Sequence, residues 1–298
     1  MKQLLLLIDG TAEIYRSYYA FKDLRTSKGV PSGAAFGFAL MLRRLLDAEK
    51  PTHGAVAFDL PAPTFRHEAF SEYKATRKPP PPEMISQIPA IKEIVSGHGL
   101  RAIELAGYEA DDIIATLTTK ALQLKIGTVI VGQDKDFYQL LQENVSLYNP
   151  RKGGKRIDVA AAEEILGVPP AAIPDLLALM GDSSDNIPGV EGIGAKIARR
   201  LIERFGTLDL VYQNIEAIEN KRVRKSIESQ REQAYMSRWL ATMHRDVPLS
   251  ISIDQLRVQS FDHGPLKDLF QRLGFTSLSR TPETQQPRQS GLFDDENE

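Results

Sequence analysis

The chain reads as an α/β domain on a parallel sheet, followed by a helical region. Three apolar runs carry that reading: QLLLLI at residues 3–8, HGAVAF at 53–58 and GTVIVG at 127–132. Each is a continuous apolar segment of strand length, the pattern of a strand buried on both faces. Helical patterns separate them: GAAFGFALMLRRLLDAE at 33–49, EMISQIPAIKEIVSGHG at 83–99 with Pro89 interrupting it, and DDIIATLTTKALQL at 111–124. Strand and helix in alternation imply a parallel sheet. After about residue 160 the strand signals stop. AAEEILG, AIPDLLALMG, AKIARRLIERFG and NKRVRKSIESQREQAYMSRWLATMH read as helices, and VPLSISI at 247–253 predicts one further short strand.

Two segments stand apart. PAPTFRHEAFSEYKATRKPPPP at 61–82 mixes aromatics, bases and prolines and reads as an excursion from the sheet. From about Thr281 the chain is polar and rich in Gln, Pro and acids, which predicts disorder. The expected organisation is a core over 1–160 with the excursion at 61–92, a helical subdomain over 161–278, and a tail over 279–298.

Composition bounds the chemistry. The 298 residues are 42% apolar and 26% charged, ordinary for a globular protein. There is no cysteine, so disulfides and thiolate zinc sites are excluded. His53, His67, His98, His244 and His263 are scattered without ligand spacing. The opening MKQLLLLIDG is too short and ends too acidic for a signal peptide, and no stretch is long enough to span a bilayer, so a cytoplasmic protein without membrane contact is expected. The net charge of -2 hides a contrast: nine of the 39 acids set apart leave 30 against 37 Lys and Arg. An acidic focus in a basic body suits a metal site that handles a polyanion.

Those nine acids fall at defined places. Asp9 ends the first strand in LLIDG, Asp59 the second in VAFD, and Asp134 and Asp136 follow the third in VGQDKDF. Glu109, Asp111 and Asp112 begin the helix leading into that third strand, in GYEADD. In open parallel sheets the C-terminal strand ends share one edge, where ligands bind. Taken singly, a strand-end Asp is an ordinary turn residue and an acidic trio at a helix start is ordinary capping. Together at one edge they cannot all ionise unless cations neutralise them. Oxygen ligands without His or Cys point to Mg²⁺ or Mn²⁺, and two such ions suit in-line hydrolysis of a phosphodiester.

A further acidic pair, Asp182 and Asp185, lies in LMGDSSDNIPGV, and GVEGIGAKIARRLIERFG follows. Gly192 and Gly194 permit close backbone approach, and the N–H groups that open the next helix can hold a phosphate. Lys196, Arg199 and Arg200 come next. Residues 180–206 thus read as a helix–hairpin–helix that grips a DNA backbone without reading sequence. An ordinary glycine corner between packed helices would explain the glycines but not the bases. In the excursion, Arg66, Lys74, Arg77 and Lys78 alternate with Phe65, Phe70 and Tyr73, a pattern suited to single-stranded nucleic acid.

The order LIDG…YRSYYAF, FD…TFRHEAFSEYKATR, GYEADD, QDKDFYQL and LMGDSSDNIPGVEGIGAK resembles the bacterial 5′-nuclease family, including the N-terminal 5′→3′ exonuclease domain of DNA polymerase I and the flap endonucleases. The likeness runs from about residue 3 to 278. It implies a PIN-like nuclease core, a helical gateway over 61–92, and cleavage of DNA bearing a 5′ end or 5′ flap in primer removal and repair. The resemblance assigns metal binding to Asp9, Asp59, Glu109, Asp111, Asp112, Asp134, Asp136, Asp182 and Asp185. It matches Tyr73, Lys74 and Arg77 to a gateway element, the two bases steering the scissile phosphate and Tyr73 stacking on or supporting an unpaired base. It places Arg16 near the phosphate. The implied cofactor is two or more Mg²⁺ or Mn²⁺, with K⁺ at the glycine hairpin as an added candidate, and a monomer is expected. Gln133 stands before DKD where many relatives carry a small residue. In the tail, Gln289, Leu292 and Phe293 of QSGLF resemble the peptide by which bacterial proteins dock on the replication sliding clamp.

Three other functions compete. A catalytically inactive DNA-structure-binding protein would not need the complete acid set. An RNase of related architecture would not need the glycine hairpin. A small-molecule phosphatase would leave Lys74 and Arg77 without a task.

Overall fold

A computed structural model of the protein describes residues 3–149, 154–259 and 263–279. Among them the strands β1 Leu4–Asp9, β2 His53–Ala57, β3 Arg101–Ile103, β4 Gly127–Val131, β5 Val145–Tyr148 and β6 Arg156–Ile157 form one sheet, ordered β3-β2-β1-β4-β5-β6. All neighbours are parallel except the antiparallel β5–β6 pair. The helices of this half are α1 Gly10–Ala20, α2 Gly33–Glu49, α3 Phe65–Ala69, α4 Pro82–Ile85, α5 Ile88–Gly97 and α6 Ala110–Gln123. Those that follow are α7 Val159–Leu166, α8 Ile173–Met180, α9 Ala195–Phe205, α10 Leu208–Gln213, α11 Lys221–Ser229, α12 Arg231–Ala241, α13 His263–Arg272 and α14 Thr276–Ser279.

The period of two along β1 sends its side chains to two separate cores. Leu5 and Leu7 pack with Ile113, Ile114 and Leu117 of α6, and that core runs on into α8, α9 and α12. Leu6 and Ile8 pack on the other face with Phe38 and Leu42 of α2 and Ile91 and Ile94 of α5. The three predicted strands are the three central ones, each buried along its length. The chain order reverses beside β1, which pairs with β2 on one side and β4 on the other. A crevice at the C-terminal strand ends of such a switch is the usual ligand site of an open α/β sheet.

Several expectations are corrected. VPLSISI forms no strand: Pro248 has no N–H for a ladder, Val247 gives its N–H to Thr116 Oγ1, and a 3₁₀ turn starts at Ile253. Pro89 does not kink a long helix but opens α5, a position where its missing N–H costs nothing. The long pattern after Asn220 is two helices, α11 and α12, broken at Gln230. Leu266, Leu269, Phe270, Phe275 and Leu278 of the last two helices, placed by the sequence reading in the helical subdomain, pack on the α2–α5 core. The chain therefore returns to the sheet domain after its helical excursion.

Phe38 is fully buried in the α2–α5 core. Phe38→Ala is expected to destabilise the protein by about 3–5 kcal/mol. Denaturant unfolding followed by circular dichroism would measure it.

Candidate active site

Register places the strand-end acids side by side. Asp9 pairs with Ala57, two residues before Asp59, and Ile8 pairs with Val131, three before Asp134. Asp9 caps α1 by accepting the Ala12 N–H at 2.9 Å. The turn there requires glycine: a Cβ on Gly10 would lie 2.5 Å from the Phe58 ring. Asp59 accepts the Ala110 N–H at 2.8 Å, so the acid of one strand caps the helix that carries Glu109 and Asp111. Asp134 accepts the Asp136 N–H at 2.9 Å and opens a 3₁₀ turn.

The crowding shows in the acidities. Burial, and then the neighbouring Asp59, pushes the Asp9 carboxyl up to about 8. Burial, with Asp9 and Asp134 beside it, holds Asp111 well above the ordinary carboxylate range. Asp136 is raised in the same sense by burial and then by Asp134 and Asp185, and burial raises Asp134 itself. One buried Asp136 oxygen, Oδ1, has no hydrogen-bond partner.

A second group of acids is met by cations. Lys74 Nζ lies 2.6 Å from Glu109 and 3.7 Å from Asp185. Arg77 reaches Asp185 at 2.5 Å, and Lys135 reaches Asp182 at 2.9 Å. Burial would lower the Lys74 ammonium, but Glu109 and Asp185 outweigh it and raise its pKa. Burial alone would raise Asp182, yet hydrogen bonds from Ser184 and Lys135 bring it below the ordinary range. The backbone joins the same two segments, since the Lys74 N–H donates to Asp185 O at 2.9 Å and Asn186 Nδ2 donates to Glu72 O at 2.7 Å.

Three expected roles change. Asp112 is fully buried and turned from the edge, with both oxygens 2.8 Å from the Arg66 guanidinium and one also accepting the His244 N–H. It has no free face for an ion. Arg66 is likewise buried rather than presented to a nucleic acid, and donates further to Glu109, Leu240 O and Thr242 O. Burial would lower its pKa, but Asp112 raises it. Tyr73 is 3% exposed and its hydroxyl donates to Glu109 at 3.0 Å, so its ring supports the site and does not offer a stacking face. Arg16 pairs with buried Glu13 through its Nε at 2.6 Å, one turn beyond Asp9. Sequence reading did not single out Glu13 or Lys135. The i,i+3 spacing of Glu13 and Arg16 was the available signal for the first.

Among the described residues, no three His, Cys, Asp or Glu side chains close into a cage ready for an ion. Lys74, Arg77 and Lys135 stand among the carboxylates instead. The donors still fit a hard divalent cation: they are all oxygen, burial and then mutual repulsion raise the pKa of Asp9 and Asp111, and one buried oxygen of Asp136 lacks a partner. Of the nine candidate acids, Asp9, Asp59, Asp111, Asp134 and Asp136 have no basic side chain in ion-pair contact among the described residues.

The helical half presents the hairpin. Gly192 has φ +85°, a left-handed backbone that suits glycine, and Gly194 precedes α9 with open space where a Cβ would be. Ala198, Leu201 and Ile202 bury one face of α9 while Lys196, Arg199 and Arg200 are exposed on the other. Among the described residues, none of these three bases pairs with an acid. Gln289, Leu292 and Phe293 lie outside the described residues.

Residues 4–167 match the 5′-3′ exonuclease N-terminal resolvase-like domain, and residues 168–264 match the 5′-3′ exonuclease C-terminal SAM fold. The chain belongs to the 5′-3′ exonuclease family. It is 36% identical to a 5′-3′ exonuclease of Aquifex aeolicus over 97% of this chain and 99% of that one. It is 41% identical to DNA polymerase I of Bacillus caldotenax over 93% of this chain but only 32% of the polymerase, so it spans about a third of such relatives. Among solved structures, the T5 D15 protein co-crystallised with metal ions superposes with a TM-score of 0.71 at 20% identity, covering 90% of this chain and 99% of that one. The catalytic core of Rad2 in complex with DNA substrate gives 0.56 at 19%, covering 91% and 88%. These likenesses confirm the fold of this exonuclease family member: a mostly parallel α/β domain with a helical companion.

Arg66→Ala would leave the Asp112 charge buried without its partner. A loss of about 3–5 kcal/mol of stability is expected. Thermal melts would test it, and a melting temperature equal to wild type would show that the pair does not hold the junction.

Proposed function

We propose that this chain is a divalent-metal-dependent 5′→3′ exonuclease and 5′-flap endonuclease that hydrolyses DNA phosphodiesters. The observation that carries the reading is the convergence of Asp9, Asp59, Asp111, Asp134 and Asp136 on the sheet edge, with Lys74 and Arg77 held among the neighbouring acids. Membership of the exonuclease family supports it.

Asp9, Asp59, Glu109, Asp111, Asp134, Asp136, Asp182 and Asp185 would hold Mg²⁺ or Mn²⁺. Bound there, two such ions would neutralise the acids, acidify a water for in-line attack and stabilise the leaving oxygen. Lys74 and Arg77, now paired with Glu109 and Asp185, are placed to turn toward the scissile phosphate and offset its growing charge. Arg77 is half-exposed, so it would meet the strand first. Tyr73 and Arg66 fix Glu109 through hydrogen bonds to one of its oxygens. Lys196, Arg199, Arg200 and the N–H groups after Gly194 would hold duplex phosphates. The products would carry 5′-phosphate and 3′-hydroxyl ends.

The K⁺ expected at the hairpin finds less support. The Gly189 and Glu191 carbonyls already accept from Gln233, and from Ser226 and Gln230. Docking of Gln289, Leu292 and Phe293 on a sliding clamp rests on the sequence pattern alone. No helix among the described residues is long and apolar enough to cross a membrane. Cytoplasmic residence and a monomeric state rest on the sequence reading alone.

The test is cleavage of a 5′-labelled double-flap DNA. Mg²⁺ should release a short 5′ product, EDTA should abolish it, and Asp134→Ala should slow it by about two orders of magnitude or more while flap binding persists. Tight binding without cleavage in Mg²⁺ or Mn²⁺ would favour the inactive DNA-structure-binding reading.

A further inference from the structure

Helix α11, which comes after α9 and α10, carries bases that the site described above does not use. Lys221, Arg222 and Lys225 of α11 are exposed, whereas Val223 and Ile227 bury its other face. Among the described residues, none of the three pairs with an acid. Arg224 differs, because it is partly covered and binds Glu216 at 2.7 Å. A nine-residue helix with four bases and one acid has strong self-repulsion, which the fold tolerates without supplying counter-charges for three of them.

The position of α11 is fixed by the hairpin itself. Ser226 donates to the Glu191 carbonyl, and its Oγ would lie 3.6 Å from a Cβ on Gly192. Gln230, at the end of α11, accepts the Glu191 N–H at 2.9 Å and donates to Ser226 Oγ at 3.1 Å. From α12, Gln233 donates to Gly189 O at 2.6 Å and Ser237 accepts the Gly189 N–H at 3.1 Å. The hairpin backbone between Gly189 and Glu191 is thus bound on its inner side by polar side chains of α11 and α12. Arg222 lies one helical turn before Ser226, on the same stripe of α11. It therefore lies along the hairpin side of the helix, with Lys225 next to it. The start of α11 also meets α9 across a cleft of about 240 Å³, lined by Arg200 and Arg204 from α9 and by Asn220 and Val223.

We infer that Arg222 and Lys225, with Lys221 at the end of the row, form a second phosphate-binding track that continues the hairpin along the same duplex. The occupant is the sugar-phosphate backbone of the DNA gripped at Gly192–Lys196, recognised by charge and without base contacts. Unpaired bases continuous with a backbone-gripping hairpin fit that ligand and give an acidic protein surface no apolar anchor. The assignment rests on the nuclease reading above.

The test is equilibrium binding of a fluorescent duplex with a 5′ flap to the full chain in Ca²⁺, over a salt series. Arg222→Ala/Lys225→Ala should lower the slope of log affinity against log salt by about 1.8, at about 0.9 per lost phosphate contact. Arg222→Lys/Lys225→Arg should restore the slope, which separates charge from a folding defect. A slope unchanged in the double Ala variant overturns the track while leaving the nuclease reading intact. Wild-type protein that neither binds nor cleaves the flap would instead overturn that reading itself.

Discussion

The site depends on charge balance at the C-terminal edge of the sheet. Asp9, Asp59, Asp111, Asp134 and Asp136 converge there, and like charges in a recess with little water cannot all ionise. Without added cations the protein has two ways to manage the repulsion. Burial and crowding raise the pKa of Asp9, Asp111 and Asp136, which favours their protonated forms, and Lys74, Arg77 and Lys135 reach Glu109, Asp185 and Asp182. Divalent ions would do both jobs better and would release the two gateway bases for a phosphate. The same charge crowding would account both for the proposed use of a metal and for the ion pairs that hold Lys74 and Arg77 here.

A different pair keeps this edge attached to the helical half. Arg66 comes from α3, Asp112 from α6, and the carbonyls of Leu240 and Thr242 from the end of α12. Burying such a pair brings little net stability, but losing one partner strands a charge in the core. The junction ties together three parts: the 61–92 segment, the acid-bearing helix α6 and the end of α12. Glu109 sits at its rim, held by Arg66, Tyr73 and Lys74.

Much of this was legible in the sequence, for identifiable reasons. The three central strands are continuous apolar runs, and the acids at their ends follow from the topology of a parallel sheet. The edge strands were not legible: β3 spans three residues with Arg101 and Ala102 exposed, so it carries no apolar run. Asp112 was misread because an acid beside Asp111 has the same spacing whether it faces an ion or a buried arginine. Arg66 was misread with it, since a base among aromatics in an exposed-looking segment resembles a nucleic-acid contact until its burial is known. Long-range pairs such as Lys135 with Asp182 leave no local pattern at all.

The claim that crowded acids hold protons until cations arrive has a direct measurement. Asp9 has a folded-state pKa of about 8, above its ordinary 3.8. The stability it contributes is therefore full below 3.8 and is lost as pH rises through about 8. At pH 7 a cation entering the site must displace a proton. Calorimetric titration of Mn²⁺ into the metal-free protein at pH 7, in two buffers of different ionisation enthalpy, counts the protons released. The account predicts net release, with the count falling toward zero as the pH is raised past 9. Binding at pH 7 with no proton release would contradict it.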